Sequence, residues 1–574
     1  MSMNQLGEVR VHGESRTESA PEPMKTPVAA SRPALIGHRY WVGIAMVALL
    51  LAFRFPSAAA TVTINGAQTY QLIDGFGVNA NFRSWTNSEL QPAIDALIDQ
   101  AGMTLFRVIH DRTDWEATND NSNASVMNWT YYNSLYSSPD FEKLWGLVGY
   151  LNQRGISNNL TLNFQGIGPA WMINGGTDVL RSGYEDEWAE MIASLLIYGR
   201  NTRHLQFGLV GPDNEPDNTP EPIQGVQVAS VTQYVTMLRR LASVLDANGV
   251  GDLRFVAPDL AYGGTNWLAQ LMNDPVIMGK LAYFGEHSYL ADGGNSSGVY
   301  DFLKQSAYPD RRFWMTEFNV WCQSCETGGG GATDWTFFRG SAEYLLAHLA
   351  NGASAGLLWE GYDSYYLIRG GWSYWGLLAV DNINAVPKTY TPRKNFYTIA
   401  QISKFVRPGM QRIAVNGSAS PLTLLAFYHS NTGQFALTGV NTSSSAVTFS
   451  GTLTNLPSIS SLALYYTSST TNLAFKTNVP VAGGVFNATV PADCVFTFSG
   501  GALKLSMALL YTNQAKHIVL SWPAALTNCV LEGSTNLNPS LWSPVTNIPQ
   551  PAGGQQLVIL PPAAQRQFYR LRQP

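Results

Sequence analysis

Charge is scarce in this sequence. Only 13% of its 574 residues are Asp, Glu, Lys or Arg, and no basic cluster stands out. With a formal net charge of −5, a nucleic-acid partner is not expected. Four cysteines in a chain of this length are too few for a disulfide framework. No His/Cys cluster has the spacing of a metal site and no glycine-rich phosphate loop stands out, so neither metal nor cofactor is expected. The apolar run Val42 to Phe53 is too short to span a bilayer comfortably. Aromatics, by contrast, are plentiful: 12% of the chain, with 16 Trp and 26 Tyr. Most belong in a core, but exposed ones offer flat apolar faces of the kind sugar rings stack on.

The apolar run at 42–53 is preceded by Arg32, His38 and Arg39 and followed by Ser57-Ala58-Ala59-Ala60. That is the pattern of an export signal over residues 1–60, with cleavage after small residues. The expected location is therefore secreted, extracellular or periplasmic, with no stable membrane insertion after cleavage; an uncleaved anchor is the alternative. The stretch before the run is long for a signal, and Met24, followed by Lys25, is a candidate start.

The length implies two to four domains. From Phe76 onward, apolar strands alternate with helical patterns. Strands are read at 104–109, 160–164, 205–210, 253–257, 281–284, 313–315 and 356–359, with helices at 90–101, 141–154, 185–198, 231–247 and 341–350. Eight strands from Phe76 on, most of them separated by helices, imply a parallel sheet closed into a (β/α)8 TIM barrel, an α/β fold. Residues 413–500 change texture, to short alternating strands rich in Thr, Ser, Val and Asn, which reads as a side β-sandwich domain. A small C-terminal all-β module follows. The expected domains are 61–405, 406–501 and 502–574.

Two stretches carry the chemistry. Gly211-Pro212-Asp213-Asn214-Glu215-Pro216-Asp217 follows a strand, and its two prolines fix the local backbone. Alone it is as well explained by a solvated acidic turn. Arg312-Phe313-Trp314-Met315-Thr316-Glu317 is a second strand ending in Glu. Roughly a hundred residues separate the two, room for two or three strand–helix units. Two carboxyl groups at the same end of one barrel are what glycosidic cleavage needs, one to protonate the leaving oxygen and one to act at the anomeric carbon. Burial and the charge of Glu317 are expected to raise the proton affinity of Glu215, while Arg107, read at the end of the second strand, keeps Glu317 ionised.

Tyr289 is placed to hydrogen-bond Glu317, and Asn214 to hold a substrate hydroxyl. His287 reads as a satisfied neighbour of the site or a proton carrier. Trp171 and Trp359 are candidates for stacking on sugar rings, or core. Asp213, Asp217 and Glu221 read as a solvated acidic loop; Glu360, at the barrel rim, is a candidate for substrate hydroxyls. Cys322 and Cys325 read as a local disulfide or two free thiols in preference to half a zinc site. Cys494 and Cys529 pair only if the last two domains pack together.

Four segments in this order resemble glycoside hydrolase family 30, in the clan of retaining β/α-barrel glycosidases: Gln71-Leu72-Ile73-Asp74-Gly75-Phe76-Gly77, Asn214-Glu215-Pro216-Asp217, Trp314-Met315-Thr316-Glu317 and Ser403-Lys404-Phe405-Val406-Arg407-Pro408-Gly409. The likeness runs from about Thr61 to Gly500. It implies Glu215 as acid/base and Glu317 as nucleophile of a double displacement, with Arg107 and Asn214 at supporting positions and His287-Ser288-Tyr289 loosely matching a His-x-Tyr element. It also implies that residues 61–64 pair with the side domain. The sequence departs from the family in the loop 322–331 and the aromatic segment 362–375, where substrate choice would be decided.

The resulting expectation is a secreted, monomeric, retaining β-glycoside hydrolase acting on a β-linked polysaccharide of xylan, β-1,6-glucan or β-1,6-galactan type. The alternatives are a non-catalytic carbohydrate-binding barrel, a glucosylceramidase-like enzyme on glycoconjugates, and a surface-anchored structural protein.

Overall fold

The structure is a computed structural model describing residues 60–574, apart from 176, 219–223, 292, 502–504, 513–514, 525–528, 537–540, 553–554, 563–565 and 573–574. The apolar run at 42–53, the cleavage pattern up to residue 59, Met24 and Glu221 lie outside the described residues. No helix among the described residues is long and apolar enough to cross a membrane.

Eight parallel strands close into a barrel: β2 (Gly75–Asn81), β3 (Leu105–His110), β4 (Leu160–Phe164), β5 (Leu209–Gly211), β6 (Arg254–Val256), β7 (Leu281–Ser288), β8 (Arg312–Phe318) and β9 (Ala355–Leu358), with β2 paired to β9. The fold is the TIM barrel that the alternation of strands and helices implies. Its strands are buried on both faces, which is why they read as continuous apolar runs. The barrel interior is layered. Leu105, Leu209, Val256, Trp314 and Leu357 form one apolar cluster. Because side chains alternate along a strand, Arg107 and Thr316 point into the same interior two residues further on. Arg107 is therefore the third residue of β3, inside the barrel, and not at the strand's end. The helices pack outside; the last two barrel-flanking helices are Trp335–Ala350 and Lys394–Ser403.

The rim carries two small hairpins, β10 (Ser364–Tyr366) with β11 (Gly371–Ser373) and β12 (Leu378–Val380) with β13 (Tyr390–Pro392). The side domain comprises β1 (Ala60–Leu72) and β14 to β21: Gln411–Gly417, Leu422–Tyr428, Gln434–Asn441, Val447–Thr454, Ser461–Ser468, Ala474–Pro480, Val485–Val490 and Cys494–Gly501. It is one hydrogen-bonded sheet of nine strands, in the order β19-β18-β21-β16-β15-β14-β1-β17-β20. On a flat sheet β21 and β17 would stand about 24 Å apart, five spacings of ~4.8 Å. Instead the Phe449 and Phe498 rings meet at 5.9 Å. The sheet rolls over itself, so a single sheet makes both faces of the sandwich. β1 is the hinge of this arrangement, antiparallel to β14 and parallel to β17.

The tail forms two small sheets from β22 to β28: Ser506–Thr512, Ala515–Pro523, Val530–Ser534, Ser543–Pro544, Gln550–Ala552, Gln555–Leu560 and Phe568–Arg572. They close on a core of Leu520, Trp522, Leu531, Val558, Leu560 and Leu571. Cys494 is buried and Cys529 half-buried; both are free thiols and do not pair.

Ile64 is fully buried at the centre of β1. Ile64→Ala is expected to cost about 2–5 kcal/mol, read as a lower denaturation midpoint, because the removed methyl groups leave a cavity between three strands.

Candidate active site

Glu215 stands four residues past β5 in the left-handed backbone region, φ 48°, and Asp259 past β6 does the same at φ 64°. Non-glycine residues rarely adopt that conformation, and backbone bonds hold it here. Asn214 N–H donates to Phe164 O at 2.9 Å and Glu215 N–H to Asp259 O at 3.0 Å, so the chain beyond β5 stays tied to both neighbours. A glycine permits the approach: a Cβ on Gly225 would lie 1.7 Å from Asn214 O.

Glu317 is aimed by a bulge. Glu286 pairs with Met315 but His287 pairs with Glu317, so β8 carries one extra residue, Thr316. The extra residue lets Thr316 and Glu317 both serve the interior. Thr316 Oγ1 donates to Asp259 Oδ1.

Arg107, fully buried, joins these groups. Its guanidinium donates to Glu317 Oε1 at 2.6 Å, Asn79 Oδ1 at 2.7 Å, Asn214 Oδ1 at 2.5 Å and Asp259 Oδ2 at 2.7 Å. Tyr289 OH donates to Glu317 Oε2 at 3.1 Å. His287 Nδ1 lies 2.7 Å from Glu215 Oε1 and 3.7 Å from Glu317 Oε2. Asn218 Nδ2 donates to Glu215 Oε2 at 2.8 Å. One carboxylate oxygen from each of Glu215 and Glu317, with a His287 nitrogen, lie within 4.8 Å of one another. That spacing admits a metal ion, but Arg107 on Glu317 and a protonated imidazole beside Glu215 oppose one electrostatically.

The proton balance differs from the expected one because a histidine sits between the two acids. Burial disfavours the His287 cation, but the charge of Glu317 and the bonds to Asp259 and Glu215 outweigh it and push its pKa up to about 10. Burial raises Glu215, yet the hydrogen bond and charge of His287, with Asn218 and Arg107, bring it below its ordinary value. At Glu317 burial wins over the charges of His287 and Arg107, and it ends above its ordinary value. The proton of the His287–Glu215 pair therefore rests on the imidazole. Asp259 is also buried, but Arg107, His287 and Thr316 hold it well below the usual carboxylate range.

A cavity of about 200 Å³ opens on Glu215 and Glu317, and Tyr289 and Trp359 line it. Trp321 and Trp375, which sequence reasoning did not single out, line it too. The rings of Tyr289, Trp321 and Trp375 meet pairwise at 5.6–5.8 Å. Trp321 is half exposed and is followed by the Cys322–Cys325 disulfide. Glu326, at the end of that turn, accepts from Trp375 Nε1 at 2.9 Å and pairs with Arg369.

Other expected residues lie elsewhere. Trp171 does not line the cavity: its Nε1 donates to Glu116 O at 2.8 Å and its ring packs on Tyr184. Asn214 is used as a brace, its Oδ1 held by Arg107 and its Nδ2 donating to Gln224 O. Asp213 is not solvated; it is buried, and its Oδ1 accepts from Val226 N–H. Asp217 accepts from the Ala261 and Tyr262 N–H groups, tying the Glu215 turn to the loop after β6. Glu360 is buried under Tyr366 and Ser373 and does not reach the cavity.

No protein-family model matches the chain. Among curated proteins it is similar to the glucuronoxylanase XynC of Bacillus subtilis strain 168, 23% identical over 449 residues, spanning 77% of this chain and 92% of that protein. Its fold is similar to that of a glycoside hydrolase family 30 subfamily 8 xylanase, Xyn30A, from Clostridium acetobutylicum (TM-score 0.59, 20% identity, 77% of this chain and 100% of that one). It is also similar to that of an endo-β1,6-glucanase (TM-score 0.56, 17% identity, 77% and 94%). The likeness to XynC spans most of both chains, and the four sequence segments point the same way. The chain resembles glycoside hydrolase family 30 in sequence segments and in fold. These relatives are named as glycoside hydrolases, and in this chain Glu215, Glu317 and Tyr289 face the cleft with Arg107 behind them.

Two outcomes follow from the geometry. Arg107→Ala leaves two buried carboxylates without their cation and is expected to cost about 3–5 kcal/mol of stability along with activity, read by denaturation and turnover together. His287 binds its proton more tightly folded than unfolded, 10 against 6.5. Its stabilisation is thus complete below about pH 6.5 and lost as the pH climbs towards 10. The stability gap between wild type and His287→Gln should be widest below pH 6.5 and narrow above it.

Proposed function

We propose that this β-glycoside hydrolase cleaves a β-linked polysaccharide by a retaining double displacement. The observation that carries the reading is the approach of the two Glu side chains, whose facing atoms lie within 4.8 Å in one cavity. Retaining enzymes hold their carboxyl groups about 5–5.5 Å apart, and inverting ones ~6.5–9.5 Å apart to admit a water.

Substrate would sit with its anomeric carbon at Glu317 and its glycosidic oxygen at Glu215. As the leaving-group oxygen displaces solvent, the proton shared with His287 Nδ1 passes to Glu215 and on to that oxygen. The C–O bond breaks with its electrons on the departing sugar, and the Glu317 carboxylate bonds the anomeric carbon. Water then gives a proton to Glu215 and attacks, freeing Glu317 and a product of the original configuration. Arg107 and Tyr289 position Glu317 for both steps. Xylan is the first candidate substrate, since curated relatives similar in sequence are named glucuronoxylanases; the β1,6-glucanase among similar folds makes β-1,6-glucan the second. The aromatic wall of Trp321, Trp359 and Trp375 supports a polymer of stacked rings. The reading includes a monomer. Export fits the sequence before residue 60 and the Cys322–Cys325 disulfide, which an oxidising compartment sustains. Finding the chain uncleaved in the cytoplasmic fraction would count against it.

The test is incubation with xylan, β-1,6-glucan and β-1,6-galactan, with NMR of the first products formed. A β-anomer appearing first supports retention, and an α-anomer sinks it. Glu317→Gln is expected to lower turnover by at least four orders of magnitude while polymer binding stays within a few-fold.

A further inference from the structure

The walls of the cavity are not equally supported. Glu215 serves the departing sugar, which places that sugar towards Asn218 and Tyr262. The reacting ring lies over Glu317, and beyond it stand Trp321, Glu326, Arg369 and Trp375. None of these four sits on a barrel strand. Gln323–Glu326 is a single helical turn of four residues, too short to hold itself. Gly328 to Gly331 follow it, with Gly328 and Gly330 at positive φ, so the chain beyond lends it little stiffness.

Other bonds supply what the turn lacks. The Cys322–Cys325 bridge closes it. Cys325 O accepts from Tyr374 N–H at 3.1 Å, tying the turn to the segment after β11. Glu326 Oε2 accepts from Trp375 Nε1 at 2.9 Å, which gives a buried indole N–H its partner. The same carboxylate meets the Arg369 guanidinium, itself 5.7 Å from the centre of the Tyr366 ring. Trp321 Nε1 donates to Gln323 Oε1 at 3.3 Å, inside the bridged turn. One carboxylate therefore holds two residues of a different loop.

We propose that Glu326, fixed by the Cys322–Cys325 bridge, is the positioning residue of the wall that receives the glycan on the Glu317 side. The inference rests on reading the cavity as a glycan site. Glu326 acts through Arg369 and Trp375, so it governs binding and leaves bond cleavage to Glu215 and Glu317. Ordering one rotamer-rich side chain during binding costs roughly two- to tenfold in affinity. A wall with Trp321, Arg369 and Trp375 all loosened is expected to lose about tenfold or more. Cys494 and Cys529 are free thiols, so among the chain's four cysteines a reductant has this one bridge to open. Reduction therefore loosens the wall, while Glu317 keeps Arg107 and Tyr289.

The test uses the full chain and whichever of xylan, β-1,6-glucan and β-1,6-galactan it turns over fastest. Glu326→Leu is expected to raise KM about tenfold or more and to leave kcat within about threefold. Glu326→Gln keeps an acceptor for Trp375 but no charge for Arg369, and should fall between. The bridge is opened by reductant or, since Cys325 is buried, by the double variant Cys322→Ser with Cys325→Ser. Either should raise KM in the same way, and reduction should add little to Glu326→Leu. An unchanged KM after both changes, or a kcat that falls as far as kcat/KM, overturns the proposal. If Glu326→Leu does not fold, wild type with its bridge opened decides alone. A chain that turns over none of the three polymers fails the hydrolytic reading separately. Affinity gels of Glu317→Gln with the same polymers then decide: binding weakened about tenfold or more by opening the bridge supports the wall, and undiminished or absent binding overturns it.

Discussion

One buried cation organises this molecule. Arg107 carries a permanent positive charge fixed inside the barrel beside Asp259, Asn79 and Asn214, and it reaches Glu317 from below the cleft. A guanidinium with a rigid fork of donors can serve four acceptors, on two strands and on the turns after two others, at once, which an ammonium cannot. Its presence makes two carboxylates tolerable in a low-dielectric interior, and its geometry decides where Glu317 points. The apolar layer of Leu105, Trp314 and Leu357 beneath it keeps that interior dry, so the charge interactions are little screened. Fold and chemistry meet at that residue.

The two acids were legible in the sequence because each follows an apolar strand and stands in a recognisable local context, Glu215 between prolines and Glu317 after Trp-Met-Thr. The barrel was legible for the same reason, as alternation of two hydrophobic periods. Asp259 was not, because nothing in Ala257-Pro258-Asp259-Leu260 distinguishes it from an ordinary turn; its role arises from where β6 ends in space. The bulge at Thr316 was hidden too, since a register shift has no composition. Trp171 shows the converse: a Trp just after a strand has the right sequence context, but its loop turns the ring to Tyr184 and away from the cleft. Asp213 and Asp217 looked solvated on charge alone, whereas backbone donors of Val226, Ala261 and Tyr262 take them in.

The arrangement of the cleft divides labour between rigid and variable parts. Glu215, Glu317, His287 and Arg107 stand on strands or within a few residues of one, tied by backbone bonds to neighbours. The aromatic wall comes from loops: Trp321 from the turn closed by the Cys322–Cys325 bridge, and Trp375 from the segment after the β10–β11 hairpin. Changing the loop sequence can alter which glycan is held without moving the reacting groups. This is the division that β/α barrels support in general, with the loops at one end varied over a constant scaffold.

The nine-stranded sheet has a consequence for how the chain is made. β1 is synthesised first, yet its two partners, at 411–417 and 447–454, lie some 350 residues downstream. At about 5–20 residues per second, the ribosome takes tens of seconds to deliver them. Through that interval Val62 and Ile64 have no sheet to enter, and the whole barrel emerges while its opening strand waits. Closing so long a loop is slow and is completed late, so the two ends of the catalytic unit are fastened together only when nearly all of it has been translated.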